Sequence, residues 1–266
     1  MEERKEKEIE YYDKRAEKSL KEGSKSKEIT DFEGFNPNLL SSYRFCYQLL
    51  KDKCQDKIIL DYGCGNGVHS VFLAKSGAKR VIGIDLSEKS LEIARERIKR
   101  EGLEEKVEFN LMDCENMDFS ENSFDIVFDG GTFSSLDIKK ALPETARVLR
   151  YDGFLIGIET FGHNPFTNLK RSINRITGKR TEWAASHILR MEDLKKAKDY
   201  FNMVEVHFFH LVSWLTFPFL ELPGGKLFLK ILELIDKILL KIGFLKKYSF
   251  KVVFTMSNPK NDEEII

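Results

Sequence analysis

Three glycines at alternate positions, Gly63, Gly65 and Gly67, follow an apolar run at residues 58–60. Glycines in such a turn let the backbone reverse between a strand and a helix, and they let a ligand approach main-chain atoms that a Cβ would shield. The same spacing can also serve only to pack a helix against a strand. The turn therefore predicts a nucleotide-type site only in combination with the residues that follow it.

A carboxylate closes the next apolar run, at 81–84. Asp85 lies twenty-two positions after Gly63, and in a strand–helix–strand unit this spacing puts a carboxylate where it accepts hydrogen bonds from a ribose diol. Its alternative role as a helix cap is better filled by Ser87. A dinucleotide fingerprint would have its third glycine at Val68, whereas the third glycine here is Gly67. The spacing therefore indicates a cofactor other than NAD.

The motif Asp-x-Gly-x-Gly-x-Gly at 61–67, followed by an acid that closes the second strand, resembles the class I S-adenosylmethionine-dependent methyltransferases. Three later segments continue the resemblance in the same order, LMDCEN at 111–116, SFDIVFD at 123–129 and ARVLRYDGF at 146–154. One departure is Asp152-Gly153 in place of the usual Pro-Gly turn before the fifth strand, and this pair is also expected to turn.

The resemblance implies that S-adenosyl-L-methionine is the cofactor. The residues expected to bind it are Asp61, Gly63, Cys64, Gly65, Gly67, Asp85, Leu86, Asp113, Cys114 and Asp129. Within this set the glycines are expected around the methionine part, Asp85 on the ribose and Asp113 near the adenine. Similar enzymes also imply that Tyr11 or Tyr12 closes the site, although a surface packing role for these tyrosines remains open.

The candidate catalytic residues are His163, His187 and Asp129. A sulfonium already makes its methyl group electrophilic, so the protein need only align an acceptor atom and remove its proton where necessary. The two histidines belong to the segment after the fifth strand that is expected to cover the acceptor, and a neutral imidazole suits transfer to oxygen. Asp129 or Glu159 would serve an activated carbon instead.

Alternating apolar strands and amphipathic helices predict an α/β fold with a doubly wound, mostly parallel seven-stranded sheet, which is Rossmann-like in the methyltransferase sense. An N-terminal helical cap and a helical insertion before the last strand are expected to accompany it. Strands are predicted near 57–61, 81–85, 106–111, 124–129, 153–159, 203–210 and 249–256. Helices are predicted near 66–76, 88–101, 137–149 and 192–200, and one more is expected to begin at Asn36-Pro37.

Three parts of the chain are expected to contribute to this fold. Residues 1–53 form an N-terminal arm and cap, 54–160 form the cofactor-binding core, and 161–266 supply an acceptor-covering segment, the insertion and the final strands. The lysine- and glutamate-rich stretch 1–27 has no apolar core, so we expect neither a signal peptide nor a transit peptide and assign the chain to the cytoplasm.

The amino-acid composition limits the kinds of partner that the chain is expected to bind. Lysine plus arginine and aspartate plus glutamate number 43 each, and this absence of a basic excess argues against a nucleic-acid partner. The four cysteines, Cys46, Cys54, Cys64 and Cys114, form no C-x-x-C pair and no zinc spacing, so reduced thiols and no metal site are expected.

The insertion at about 212–247 is the most unusual stretch. Residues 206–220 lack formal charge, but Pro218 interrupts them and they are shorter than the roughly 18 to 20 residues of a membrane span. The following stretch, 226–247, has a broad apolar face opposite its lysines, Glu233 and Asp236. Such a helix covers the protein's own core, joins a dimer or lies in a bilayer interface, and Trp214 with its neighbouring phenylalanines favours peripheral membrane contact.

These features predict a methyltransferase that acts on oxygen in a small or lipid-, isoprenoid- or glycan-linked acceptor. The alternatives are carbon methylation of a quinone-like ring, a cofactor-binding protein without turnover, and, from another enzyme class, an NAD-dependent oxidoreductase. The oligomeric state remains open.

Overall fold

The computed structural model describes residues 2–21, 39–176 and 180–260, and in them seven strands form one sheet. The strands are β1 Ile58–Tyr62, β2 Arg80–Asp85, β3 Val107–Leu111, β4 Phe124–Asp129, β5 Leu149–Thr160, β6 Phe201–Phe209 and β7 Lys251–Pro259. Their order across the sheet is β3-β2-β1-β4-β5-β7-β6. The first five strands are parallel, and β7 runs antiparallel to both β5 and β6. The predicted fold class is confirmed.

Helices cover both faces of this sheet. They are α1 Glu3–Lys21, α2 Ser41–Lys53, α3 Val68–Lys75, α4 Glu88–Glu101, α5 Ile138–Val148, α6 Pro165–Ile176, α7 Glu182–Ser186, α8 Met191–Lys196 and α9 Gly225–Leu239. The helices predicted at 66–76, 88–101 and 137–149 correspond to α3, α4 and α5. The predicted helix start at Asn36-Pro37 lies outside the described residues.

The central strand β1 contacts a separate apolar cluster on each face of the sheet. Leu60 and Tyr62 belong to one cluster and Ile59 belongs to the other, because successive side chains of a strand point to opposite faces. The chain leaves β1 toward β2 on one side, while β4 pairs with the other side. The carboxyl ends of β1 and β4 therefore form the point where the strand order reverses, and in open α/β sheets this is where ligands bind.

The start of β5 differs from the prediction. Phe124 and Ile126 of β4 pair with Leu149 and Phe154 of β5, so residues 150–153 lie opposite a single residue of β4. The turn predicted at Asp152-Gly153 is therefore a bulge inside β5. Gly153 suits this position because a Cβ there would lie 2.8 Å from the carbonyl oxygen of Arg150.

The insertion folds as a 3₁₀ helix at Ser213–Phe219, the helix α9, and a second 3₁₀ helix at Gly243–Tyr248. The amphipathic helix thus ends at Leu239, earlier than its sequence pattern predicts. Among the described residues, no helix is both long and apolar enough to span a bilayer.

Two acids of α9 point into the protein. Glu233 accepts hydrogen bonds from the Ser41 backbone N–H and the Arg44 guanidinium, at 2.8 Å each. Asp236 accepts from the backbone N–H groups of Val212 at 2.8 Å and Ser213 at 3.2 Å. Glu233 thereby caps the amino terminus of α2, where no side chain of α2 itself makes a capping bond. The acids fix which face of α9 is buried.

We expect Glu233→Ala to lower the free energy of unfolding by about 1–3 kcal/mol, because a partly buried backbone N–H at the start of α2 loses its acceptor. Glu221→Ala is a matched control, since Glu221 is an exposed acid of the same insertion. Urea denaturation of both variants measures the effect. Equal stability of the two variants would show that α9 is not held through Glu233.

Candidate functional site

A cavity of about 650 Å³ lies at the carboxyl ends of the parallel strands, next to the reversal of strand order. One wall is the turn after β1 together with the end of β2 and the loop after β4. Helix α1 lies across another side, and its residues Tyr11, Tyr12 and Arg15 are among those that line the cavity. Further lining comes from α6, the Ser213–Phe219 3₁₀ helix and the start of β7, with residues of α2, α3 and α7 and the end of β5.

The turn after β1 has the geometry that its glycines suggested. Gly63, Gly65 and Gly67 have φ values of 67°, 52° and 72°, which lie in the region that L side chains rarely adopt. A Cβ on Gly63 would lie 2.3 Å from Oγ1 of Thr132. That hydroxyl donates to the carbonyl oxygen of Tyr62 at 3.0 Å and so ties the turn to the loop after β4. The turn is narrow because its neighbours contact it directly.

The third glycine has a different task from the first two. Gly67 does not line the cavity, and a Cβ there would lie 2.9 Å from the Cβ of Ala94 in α4. It therefore allows α3 and α4 to pack closely.

Asp85 occupies the place predicted for a ribose-binding carboxylate. Its two oxygens accept from the backbone N–H of Gly65 at 2.9 Å and of Ser87 at 2.8 Å, and the residue lines the cavity. Burial raises the pKa of this carboxyl group. A carboxylate has about four acceptor positions, so capacity remains for a diol. The neighbouring Leu86 also lines the cavity.

The corner predicted for the adenine is closed by ion pairs from α1. Lys5 lies 2.6 Å from a carboxylate oxygen of Asp113 and 2.9 Å from one of Glu115, and Arg4 lies 2.7 Å from Glu115. Asp113, Cys114 and Glu115 all line the cavity. The Cys114 segment is anchored from below, since its carbonyl oxygen accepts from the hydroxyl of a buried tyrosine at the end of β1.

The cysteines are buried thiols. Burial raises the pKa of Cys64 and Cys114 well above the ordinary value, so neither is an activated nucleophile. All four cysteines of the chain are free of disulfides.

Two acids expected to contact the cofactor lie one layer below the cavity wall. Asp61 accepts a hydrogen bond from the hydroxyl of Ser70, and burial raises its pKa to about 7. Asp129 accepts from the backbone N–H groups of Gly131 at 3.3 Å and Thr132 at 2.8 Å. Burial and the nearby Glu159 raise the pKa of Asp129 well above its ordinary value. Neither acid lines the cavity, so their geometry fits positioning of the turns above them.

Neither predicted histidine lies at the cavity. Nε2 of His163 accepts from the backbone N–H of Met191 at 3.2 Å. His187 is exposed and stacks on Trp183 with ring centroids 3.5 Å apart. The prediction that these two histidines serve as bases therefore has no support in the geometry. The positions of the two histidines depend on how α6, α7 and α8 pack. A local sequence pattern does not reveal this packing.

A different histidine lines the cavity. His69 is buried in the first turn of α3, and its Nδ1 lies 2.9 Å from the hydroxyl of Tyr47. Its ring packs against the loop after β4, since a Cβ on Gly130 would lie 2.8 Å from its Cδ2. Burial lowers the pKa of His69 to about 4, so the imidazole is neutral near pH 7. In the sequence, the signal for His69 was its position two residues after Gly67, the last glycine of the turn.

Aromatic and cationic side chains line the cavity as well. Besides Tyr11 and Tyr12, the aromatic residues are Tyr43, Trp214, Phe217 and Phe250; besides Arg4 and Lys5, the cationic residues are Arg15, Arg171, Arg180 and Lys251. Glu8 and Glu159 are further acids of the lining. Lys251 is only 3% exposed, and its ammonium lies 5.0 Å from the centre of the Tyr43 ring. Around Lys251 the cavity can take an apolar molecule that carries a polar or anionic group.

Comparison with known proteins concerns mainly the cofactor half. Residues 59–153 match a family described as a methyltransferase domain. "Methyltransferase GfsG" of Streptomyces halstedii is 37% identical over 98 residues, which cover 36% of this chain and 35% of that protein. Demethylmenaquinone methyltransferase of Bacteroides fragilis is 35% identical over 105 residues, which cover 38% of this chain and 42% of that protein. These alignments span well under two thirds of either relative.

Solved structures extend the likeness to the whole fold. Geranyl diphosphate C-methyltransferase from Streptomyces coelicolor A3(2), in complex with Mg²⁺, geranyl diphosphate and S-adenosyl-L-homocysteine, superposes with a TM-score of 0.56. The match covers 81% of this chain and 80% of that one at 16% identity. At this identity the likeness shows a shared fold.

We expect Asp85→Ala to weaken binding of S-adenosylmethionine by about 10- to 100-fold, because hydrogen bonds to a charged group contribute about 1.5–3 kcal/mol. Isothermal titration calorimetry measures the affinity. Glu88→Ala, at the exposed start of α4, serves as the control and should bind as wild type does. Unchanged affinity in Asp85→Ala, or binding of NAD in place of the sulfonium, would contradict the site assignment.

Proposed function

We propose that this chain, whose residues 59–153 match a methyltransferase domain, is a class I S-adenosylmethionine-dependent enzyme that methylates an oxygen atom of a small or lipid-, isoprenoid- or glycan-linked acceptor. The observation that carries the proposal is one continuous cavity. Its lining includes the glycine turn, Asp85 and Asp113 together with aromatic and cationic side chains. A cofactor and an acceptor can therefore meet inside it.

Bound S-adenosylmethionine supplies an electrophilic methyl group. The protein's own contribution is to hold the acceptor in line and to receive its proton. Asp129 fixes the loop of Gly131 and Thr132 beside the glycine turn, and this supports a positioning role for that acid. We propose the same kind of role for Asp61 beneath the turn.

His69 is our candidate for the proton acceptor. In the tautomer whose Nδ1 donates to the Tyr47 hydroxyl, Nε2 keeps a free lone pair. The imidazole lies beside Gly130, in the loop that also forms the cavity wall. A neutral imidazole there supports transfer to a hydroxyl oxygen.

The acceptor class follows from the lining. Large aromatic surfaces favour an apolar body, and buried Lys251 with Arg171 favours an attached polar or anionic group. The solved geranyl diphosphate C-methyltransferase, which holds geranyl diphosphate, supports an isoprenoid-like molecule in such a fold. The relative named demethylmenaquinone methyltransferase keeps carbon methylation of a quinone-like ring as the second candidate. Acceptors of this kind imply peripheral contact with the cytoplasmic face of a membrane.

Radiolabelled cofactor incubated with a cell lysate tests the acceptor class. The lysate is then separated into lipid, other small-molecule, RNA and protein fractions. We expect label in the lipid or small-molecule fraction, and its stability to chemical ether- or ester-cleaving treatment distinguishes oxygen from carbon. Label confined to RNA or protein would overturn the acceptor class. No label in any fraction, with cofactor binding intact, would favour a protein without turnover.

Turnover of the acceptor found in this way tests His69. We expect His69→Gln to lower kcat by about 10²- to 10⁴-fold, as for loss of a general base, while cofactor affinity stays within a few-fold of wild type. His163→Gln is the matched control and should keep full activity. A His69→Gln enzyme that binds the cofactor and turns over normally would remove His69 from the mechanism.

A further inference from the structure

One surface of the molecule is far more apolar than the rest. Eleven of the eighteen large apolar side chains that are exposed among the described residues lie between positions 215 and 244. We call them the docking face: Leu215, Phe219, Leu222, Leu227, Phe228, Ile231, Leu234, Ile235, Ile238, Ile242 and Phe244. Those on α9 lie on one side of the helix at about 100° per residue. An exposed apolar surface of this kind marks a contact with a membrane or another protein.

The docking face is held outward by the polar side of α9. Leu229, Glu233 and Asp236 are buried, and both acids bind backbone N–H groups of neighbouring segments. Rotating α9 to bury Leu234 and Ile238 would strip these acids of their partners and expose the N–H groups that they cap. The outward apolar face is therefore a stable feature of the fold.

Charge around the docking face identifies its partner. At about 100° per residue, Lys226, Lys230 and Lys237 form one row between the buried face of α9 and its apolar face, and Lys241 follows the end of the helix. In the insertion the acids besides Glu221 are the buried pair, so the exposed charge beside the apolar face is almost entirely positive. Lysines that flank an apolar strip match the anionic headgroups above a hydrocarbon layer.

The Ser213–Phe219 3₁₀ helix connects this surface to the cavity. Trp214, Phe217 and Pro218 line the cavity, whereas Leu215 and Phe219 are each half exposed on the docking face. One short helix thus forms the wall between the two. Its start is fixed by the Asp236 carboxylate of α9, so the wall and the docking helix are tied together.

We propose that an anionic bilayer is the partner of the docking face, and that the acceptor enters the cavity from the bilayer past the Ser213–Phe219 helix. The identity of the molecule that enters the cavity rests on the proposed function. The docking itself rests on the surface alone. Insertion of the apolar side chains supplies a contribution that salt does not screen, while the lysine row adds a contribution that salt weakens.

Flotation of the full chain with lipid vesicles tests the docking. We expect recovery with vesicles of phosphatidylcholine and phosphatidylglycerol, about fivefold less with phosphatidylcholine alone, and about tenfold less for Leu234→Glu combined with Ile238→Glu. The control pair is Tyr151→Glu with Met203→Glu, which changes exposed apolar residues elsewhere on the surface and should float as wild type does. Calorimetry with the cofactor and thermal melting establish that each variant is folded.

Two outcomes of this flotation would overturn the docking proposal. Wild type that stays in solution with both vesicle types does so directly. A Leu234/Ile238 variant that changes only the oligomeric state assigns the face to a second copy of the chain. If that variant unfolds, Lys230→Glu with Lys237→Glu replaces it as the test: the proposal requires this pair to lose about fivefold in recovery with anionic vesicles, and unchanged recovery overturns it.

Entry past the wall has its own measurement. The chain has two tryptophans, so Trp183→Phe leaves Trp214 as the sole reporter. With vesicles that contain brominated acyl chains, we expect quenching of Trp214 fluorescence in the docked protein. Absence of quenching in protein that floats would overturn entry by this route.

Activity then separates this inference from the proposed function. The Leu234/Ile238 variant should lose methylation of vesicle-borne acceptor but keep it for acceptor dissolved in detergent. If the wild-type chain docks on vesicles but methylates the acceptor in neither medium, the proposed function is refuted and the docking proposal stands. If the Leu234/Ile238 variant loses methylation equally in both media, delivery of the acceptor from the bilayer is refuted.

Discussion

The turn from Gly63 to Gly67 exists because two neighbouring strands hold it. Residues with positive φ leave backbone groups that the turn itself does not satisfy, and partners outside the turn must bind them. Asp85 at the end of β2 accepts the N–H of Gly65, and Thr132 after β4 donates to the carbonyl oxygen of Tyr62. The segments that follow β2 and β4 lie on opposite sides of β1, so the same two contacts that fix the turn also open the cavity beside it.

Local patterns predicted the parts of the molecule whose position depends on the sheet alone. Apolar runs and the glycine turn located β1, β2 and the carboxylate at Asp85, because parallel strands bring their carboxyl ends to one edge. The sequence pattern assigned Asp61 and Asp129 to the correct strands. It did not predict that both side chains lie below the cavity wall, because that depth is set by side-chain packing. His163 and His187 were predicted from chain order, whereas their surroundings are set by how short helices pack at long range. His69 lay beside the recognised motif and could have been inferred from it.

The insertion shows a second limit of pattern alone. Periodicity in 226–247 identifies an apolar face and a polar face, and a general rule places the apolar face inward. In α9 the rule is reversed, since Glu233 and Asp236 find partners in α2 and in residues 212–213. Those partners are distant along the chain from one another. Knowing which face is buried therefore requires the tertiary contacts.

The cavity has a floor and walls of different origin. Its floor is made by parallel strands whose backbone hydrogen bonds connect it to the whole sheet, while α1, α6 and the Ser213–Phe219 helix reach it through side-chain contacts. Side-chain contacts can change one at a time without breaking the sheet. A lineage built on this framework can exchange its wall segments, and with them the molecules that it accepts, without altering the strand ends that we propose hold the cofactor. In such a lineage the choice of acceptor can change while the chemistry of the reaction is kept.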